Sequence, residues 1–345
     1  MRTLVVNKDG SLEIKEVPKP KYGPKEALVR LIANGMCGTD IKIIHRSFKG
    51  LPESSYPVII GHEGLGEVVE TGSEVKGLKV GDRVLLPFID PETAGYKDLG
   101  LGAAFGAMSE YAVVQDVKAH PPGAAPDVAY AQSIVPNDLD PVDSIMFVTF
   151  REVLSAIRYF GVKPEDSIAV FGCGPVGLTF IKFLNLLGSK DIIAVDIVDE
   201  KLTAAKEKGA EIILNSTKTD LTKEIRAKFP NGIDYVLDAV GLPLVANQAM
   251  AILKDRGSVL CYGVLAKEEI TIDFSKASYN WNFICQQMPE KKEEGEAHEQ
   301  IIEWVRSGKL VMKEFISDYF DFEDCVKAHQ MLDAGKIMKK GIIKF

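Results

Sequence analysis

The chain has 345 residues, 46% of them hydrophobic and 26% charged, and carries a formal net charge of −8. That length accommodates two domains with proper cores, and the composition is that of an ordinary soluble globular protein. The negative balance argues against a nucleic-acid or anionic-membrane partner, and five scattered cysteines with no C-x-x-C pair suit a reducing cytoplasm better than a disulfide scaffold.

The start, MRTLVVNKDG, has no apolar signal-peptide core, so a cytoplasmic location is expected. Leu12, Ile14 and Val17 open a first third that reads as β structure. Ala27, Val29 and Leu31 interleave with Glu26, Leu28 and Arg30 as a half-buried strand, and Asn34-Gly35 then reads as a turn. Cys37-Gly38-Thr39-Asp40 follows on a loop or helix start. Glycines at 61, 64, 66, 72, 77 and 81 punctuate strands around Glu67–Glu70 and Arg83–Leu86, and many short strands with regular glycines predict a small barrel. Within it, Cys37 and His62-Glu63 offer a thiol, an imidazole and a carboxylate. Catalytic zinc takes three protein ligands of these kinds and leaves one position for water or a substrate oxygen. On those residues alone, ordinary packing roles for the cysteine and the histidine stay open.

The chain is organised around Ile168–Asp196. Ile168–Phe171 is an apolar run of the length a buried parallel strand needs. Gly172, Gly174 and Gly177 then spell G-x-G-x-x-G through Pro175 and Val176. A helix is predicted over Leu178–Leu187, with Gly188 to stop it, and a second strand over Ile192–Val195 ends at Asp196. The glycines permit a tight turn, a close backbone approach to a pyrophosphate and close helix–strand packing. The helix N-terminus offers free N–H groups to the phosphates, and Asp196 stands where an acid accepts hydrogen bonds from an adenosine ribose. Three glycines, Pro175 and Lys182 argue against a membrane span. From Lys163 to about Pro289 the pattern is βαβ, with strands at Ile233–Leu237 and Ser258–Tyr262 and helices at Asp199–Gly209 and Leu244–Leu253. The charge run Glu290–Glu299 reads as a solvated helix start, and a helix is predicted from Ala297 to Arg306.

Taken together, C-G-T-D at Cys37–Asp40, G-H-E-x-x-G from Gly61, G-D-R-V from Gly81, G-x-G-P-V-G from Gly172 and the later Asp196 resemble the zinc-dependent medium-chain dehydrogenases, the alcohol, sorbitol, glucose and threonine dehydrogenase relatives. The likeness extends to Gly106–Tyr111, to Asp234–Gly241 and to the tail Met338–Phe345. It implies an α/β chain: a GroES-like β-rich catalytic domain over 1–155, completed by 290–345, and a Rossmann doubly wound parallel-sheet domain over 156–289, with the cofactor in the cleft between them. It also implies that Cys37 and His62 ligate one catalytic zinc, with Glu63 able to approach or replace a ligand. Asp40 would fix the His62 ring, and Thr39 would take the substrate hydroxyl proton. Val240, Gly241, Gly263 and Val264 would line the nicotinamide pocket, and Lys201 would touch the ribose. NAD is the implied cofactor, a small alcohol or sugar the substrate, and a homodimer or homotetramer the assembly; no nucleic acid or membrane partner is implied.

The chain departs from that pattern in three places. Residues 86–108 hold no cysteine, so no structural zinc is expected. The position of the usual relay histidine is Lys42, and His45 lies further on. The position of the third zinc ligand falls on Val148, or on Val135 of Val135-Pro136; neither alignment restores a ligand, and Glu63, Glu152, Asp138, Asp140 and Asp143 are the carboxylates that could supply it. The leading reading is a zinc-assisted, NAD-dependent dehydrogenase of a secondary alcohol in a polyol, sugar or similar small molecule. A zinc-free NAD(P)H-dependent reductase of the same superfamily, and a non-enzymatic cofactor-binding protein, remain as alternatives.

Overall fold

The computed structural model of the chain describes residues 1–265 and 269–345, and the strands and helices counted below are those of the described residues. The chain divides into two compact units, Met1–Arg151 together with Glu290–Phe345, and Glu152–Pro289.

The first unit is β-rich, as short strands broken by glycine predict. A seven-stranded sheet runs in the order Ile316–Asp321, Lys340–Lys344, Glu26–Gly35, Gly64–Thr71, Arg83–Leu85 and Ile134–Val135, with Tyr111–Gln115 also paired to Glu26–Gly35. A four-stranded sheet joins Leu12–Glu16, Arg2–Val6, Val58–Ile59 and Gly102–Ala103. Alternation places the two faces of Arg2–Val6 in different cores. Val5 packs with Val29, Leu31, Val68 and Val114. Leu4 and Val6 pack with Met36, Ile43, Tyr56, Phe322 and Ile343. Each such side chain contributes roughly 1.5–3 kcal/mol by leaving water.

Two readings of this unit need correction. Asn34-Gly35 is not a turn: the strand runs through it, Asn34 opposite Gly64 and Ile343, and Gly35 opposite Ile342. The glycine is required by close approach, since a Cβ there would lie 2.4 Å from Oε2 of Glu63. The run Glu290–Glu299 is also not wholly solvated. It forms the helices Lys291–Glu296 and, from His298, His298–Arg306; Glu294 is fully buried and accepts from Lys291 Nζ at 2.6 Å.

The second unit holds a six-stranded parallel sheet in the spatial order Ile212–Asn215, Ile192–Asp196, Ile168–Phe171, Ile233–Asp238, Leu253–Cys261, Trp281–Cys285. The order reverses between Ile168–Phe171 and Ile233–Asp238. In an open α/β sheet that switch point is where a ligand settles, beyond the carboxyl ends of the strands. The first helix spans Pro175–Leu186, beginning three residues before the predicted Leu178. Pro175 explains the early start: at the first helical position its missing N–H costs nothing and its φ is preset. Gly188, at φ +101, takes the left-handed conformation that ends it.

Gly177 is the most closely approached glycine described in this unit, because a Cβ there would stand 1.7 Å from the carbonyl oxygen of Gly172. Gly177→Ala is therefore expected to cost more than about 3 kcal/mol, the upper end for overpacking, because backbone must move. Thermal unfolding checks this; an unchanged melting temperature contradicts the close helix–turn packing. No helix among the described residues is long and apolar enough to cross a membrane.

Candidate metal and dinucleotide sites

In the first unit, Cys37 is the extended residue that precedes the helix Gly38–Ile44. Asp40, one turn in, is fully buried, and its Oδ2 accepts the Cys37 N–H at 3.0 Å. A carboxylate in the first turn satisfies an orphan donor and suits the positive end of the helix. His62 follows Gly61, whose φ of +99 and close approach to Met108 N (2.4 Å from a would-be Cβ) fix the loop. The His62 Nδ1 faces Asp40 Oδ1 at 3.3 Å, an ion-pair distance without the alignment of a hydrogen bond. Burial pushes this imidazole down, but the Asp40 charge and the contact with Cys37 outweigh it and hold His62 well above its ordinary value.

A second histidine stands on the far side of Asp40. His329 is fully buried; its Nδ1–H donates to the Cys325 carbonyl at 2.7 Å, which fixes the tautomer and leaves Nε2 3.9 Å from Asp40 Oδ2. Burial alone would raise the Asp40 carboxyl; His62, then His329 and the Cys37 N–H, bring it below its usual value. Glu63 is buried too, and both of its oxygens accept from Lys340 Nζ, at 2.7 and 2.6 Å.

One ligand atom each from Cys37, His62 and Glu63 can be chosen so that all lie within 4.8 Å of one another. A thiol, an imidazole nitrogen and a carboxylate are the donor types zinc takes, and with His62 Nδ1 facing Asp40 the ring's Nε2 is the nitrogen left for an ion. The donor set fits zinc, and Glu63 also neutralises Lys340. The other carboxylates weighed from the sequence are engaged in contacts of their own. Asp138 accepts from Arg306 at 2.8 and 3.2 Å, Asp140 accepts the N–H groups of Val142 and Asp143 at 2.9 Å, and Asp143 accepts from the Tyr319 hydroxyl at 2.6 Å. Val148 is fully buried in the helix Met146–Phe160, and Glu152 stands four residues on, at the start of the second unit.

Thr39 and Lys42 are half-buried on the helix that Cys37 precedes, three residues apart and so on one face. Burial lowers the Lys42 ammonium, with Cys37 opposing. His45 is exposed and bound at 3.0 Å to Asp333. Phe105, 42% exposed at φ +68, sets its ring 5.9 Å from that of His62. Sequence reasoning missed His329, Lys340 and Phe105. Lys340 lay inside the quoted tail motif; the other two gave no local signal.

In the second unit, the glycine turn opens the helix Pro175–Leu186, with Gly174 as its cap. A Cβ on Gly174 would meet nothing within 4 Å, so space is open where a phosphate would approach. Val176 lies in the first turn. Asp196 ends the second strand; its Oδ2 accepts the Cys173 N–H at 2.7 Å and its Oδ1 those of Ile197 and Val198 at 2.7 and 3.0 Å. Lys201 is half-buried in the following helix, near enough to Cys173 to act on its thiol, which burial and then Asp196 push up to about 12. The structure also gathers the remaining residues. A Cβ on Gly172 would meet Val240, one on Gly241 the Val264 carbonyl at 2.3 Å, and one on Gly263 the Gly241 nitrogen at 2.5 Å. Asp238, which lies inside the Asp234–Gly241 likeness and had no role of its own there, holds this turn by accepting the Val240 and Gly241 N–H groups at 2.8 and 2.9 Å. Its burial raises the carboxyl.

Two family profiles match the chain: an alcohol dehydrogenase GroES-like domain over residues 23–126 and a zinc-binding dehydrogenase over 175–284. The chain is 31% identical over 260 residues to an (R,R)-butanediol dehydrogenase of Bacillus subtilis (strain 168), covering 69% of this chain and 70% of the relative. It is 31% identical over 279 residues to an alcohol dehydrogenase of Geobacillus stearothermophilus, covering 76% and 77%. A solved alcohol dehydrogenase from Thermus sp. ATN1 superposes with a TM-score of 0.79 at 25% identity, over 100% of this chain and 99% of that one.

Proposed function

The chain belongs to the zinc-dependent medium-chain dehydrogenase superfamily, and from that premise we propose that it transfers a hydride between NAD and a secondary alcohol of a polyol, sugar or similar small molecule. The observation that carries the reading is the meeting of Cys37, His62 and Glu63 within 4.8 Å around a His62 ring that Asp40 faces. These three residues would hold one catalytic zinc. A zinc ion there supplies Lewis acidity that lowers the pKa of a substrate hydroxyl, and NAD when bound accepts the hydride.

The chain's own residues do the rest. Asp40 fixes the His62 ring from one side while taking the Cys37 N–H on its other oxygen, so both ligands share one buried anchor. Thr39 accepts the proton of the substrate hydroxyl as its own hydroxyl proton passes to water, or to Lys42 in its neutral amine form, which burial favours, and so to solvent. In the second unit Gly172, Gly174, Pro175, Val176 and Gly177 would receive the pyrophosphate on the helix N-terminus, Asp196 and Lys201 the ribose, and Val240, Gly241, Gly263 and Val264 the nicotinamide. The direct test is absorbance at the NADH band with a panel of secondary alcohols, polyols and sugars. Turnover with at least one class supports the reading; no turnover across the panel overturns it.

NAD is preferred over NADP in this reading, because the Asp196 charge repels a 2′-phosphate and Ile197-Val198 bring no arginine to receive it. Asp196→Ala is expected to weaken NAD binding by roughly 10- to 100-fold, the equivalent of hydrogen bonds to a charged group, and to narrow the gap to NADP. Asp196→Asn, which keeps the shape, should narrow that gap with less loss. A native protein that titrates more tightly with NADP refutes the assignment. One observation favours the zinc-free reductase as a second reading: Glu63 is closed on Lys340, while either alignment of the third-ligand position, on Val148 or on Val135, offers a valine. Metal analysis separates the two.

A further inference from the structure

Cys261 and Cys285 lie on neighbouring strands of the parallel sheet, Leu253–Cys261 and the edge strand Trp281–Cys285, and they are the last in-register pair between them. In-register residues of parallel strands send their side chains to the same face. Strands stand about 4.7–4.9 Å apart, inside the roughly 4.4–6.8 Å Cα window of a disulfide. Both cysteines are free, and Cys285 is near enough to act on the Cys261 thiol. Their surroundings differ: Cys261 is fully buried, whereas Cys285, at the end of its strand, is exposed.

We propose that Cys261 and Cys285 form a peroxide-responsive dithiol that closes reversibly to a disulfide and, in closing, weakens dinucleotide binding. Cys285 is the sulfur an oxidant reaches. Its thiolate attacks one oxygen of hydrogen peroxide, the O–O bond breaks, and the products are a sulfenic acid on Cys285 and a hydroxide that takes up the proton the thiol had released and leaves as one water. The Cys261 sulfur then attacks the Cys285 sulfur, the S–O bond breaks, and the oxygen leaves as a second water with the Cys261 proton. Two electrons have passed from the two thiols to one peroxide. Burial pushes the Cys261 thiol up to about 12 and keeps its sulfur from the solvent, so that peroxide meets Cys285 first.

The link to the cofactor runs through Gly263. Gln287 Nε2 donates both to Cys261 Sγ at 3.6 Å and to the Gly263 carbonyl at 2.9 Å, and Cys261 Sγ itself lies 3.9 Å from that carbonyl as its donor. A disulfide has no S–H to give, so closure removes one of the two donors on Gly263 and draws the sulfur toward Cys285. That Gly263 and Val264 border the nicotinamide rests on the dehydrogenase reading; the dithiol chemistry does not.

The test treats the reduced protein with equimolar hydrogen peroxide, blocks remaining thiols, and reads intact mass, linked peptides and NADH affinity by fluorescence. The expected result is a loss of about 2 Da with the Cys261 and Cys285 peptides joined, and a several-fold weaker NADH affinity, both reversed by dithiothreitol. Cys285→Ser should abolish the joining, and Cys261→Ala should stop at a dimedone-reactive sulfenic acid on Cys285. Oxygen addition without joined peptides, or joining that survives in Cys285→Ser, overturns the dithiol. A disulfide with unchanged NADH affinity overturns the coupling. If the reduced protein does not bind NADH at all, the dehydrogenase reading fails, and the mass result still decides the dithiol.

Discussion

Replacing Cys37 or His62 by alanine is expected to lower alcohol-dependent NAD reduction by about three orders of magnitude and to remove zinc from the same samples. The size follows from the several kcal/mol that a Lewis acid contributes to such a reaction, at about 1.4 kcal/mol per tenfold. Neither side chain anchors the core; both are partly exposed, so the variants should keep their fold. Asp40 sits behind both, against His62 at 3.3 Å and on the Cys37 N–H at 3.0 Å. Asp40→Asn should therefore reduce zinc affinity by roughly 10- to 100-fold, the usual cost of losing a partner behind a ligand. Zinc content and activity both unchanged in Cys37→Ala and His62→Ala would defeat the metal mechanism and leave the zinc-free reductase.

Lys340→Met is expected to be the most destabilising single change in the first unit. Lys340 and Glu63 are each 3% exposed and joined by two hydrogen bonds of 2.6 and 2.7 Å. Removing the ammonium leaves a carboxylate buried without its counter-charge, a loss of about 3–5 kcal/mol. In a unit of this size that lowers the melting temperature by roughly 10 °C. The double variant Glu63→Gln with Lys340→Met should recover most of the loss, because neither partner is then charged. If Glu63 ligates zinc, added zinc should also restore part of the stability of Lys340→Met, and chelation should remove that gain. A Lys340→Met protein that melts with the native one contradicts the buried pair.

What the sequence disclosed was what the chain holds locally. The strand Ile168–Phe171, the glycine turn, the helix and the strand ending at Asp196 occupy 29 consecutive residues, and each step has its own signal. The donors Cys37 and His62-Glu63 were visible as residue types near one another in sequence. What held them was not. Lys340 reaches Glu63 across 277 positions, and His329 approaches Asp40 from the last quarter of the chain. No periodicity encodes such a meeting, because it is created by the strand Lys340–Lys344 pairing with Glu26–Gly35. The same pairing explains the misread Asn34-Gly35, where glycine makes room for Glu63 instead of turning the chain. Glu294 was misread for a related reason: a charge run looks solvated until Lys291 is seen to close over one member. The glycines of the turn assigned to the nicotinamide were recognised through resemblance, whereas Asp238, the carboxylate that fixes that turn, lay inside the Asp234–Gly241 likeness without a role of its own, because its part depends on the turn that follows the strand.

The central claim is that Cys37, His62 and Glu63 hold a single catalytic metal. The most direct measurement is the zinc content of the native protein purified without chelator. One tightly bound zinc per chain is the expected result. A second equivalent would contradict the absence of a thiolate lobe in residues 86–108, and a metal-free protein that still passes hydride to or from a carbonyl substrate would contradict the claim itself.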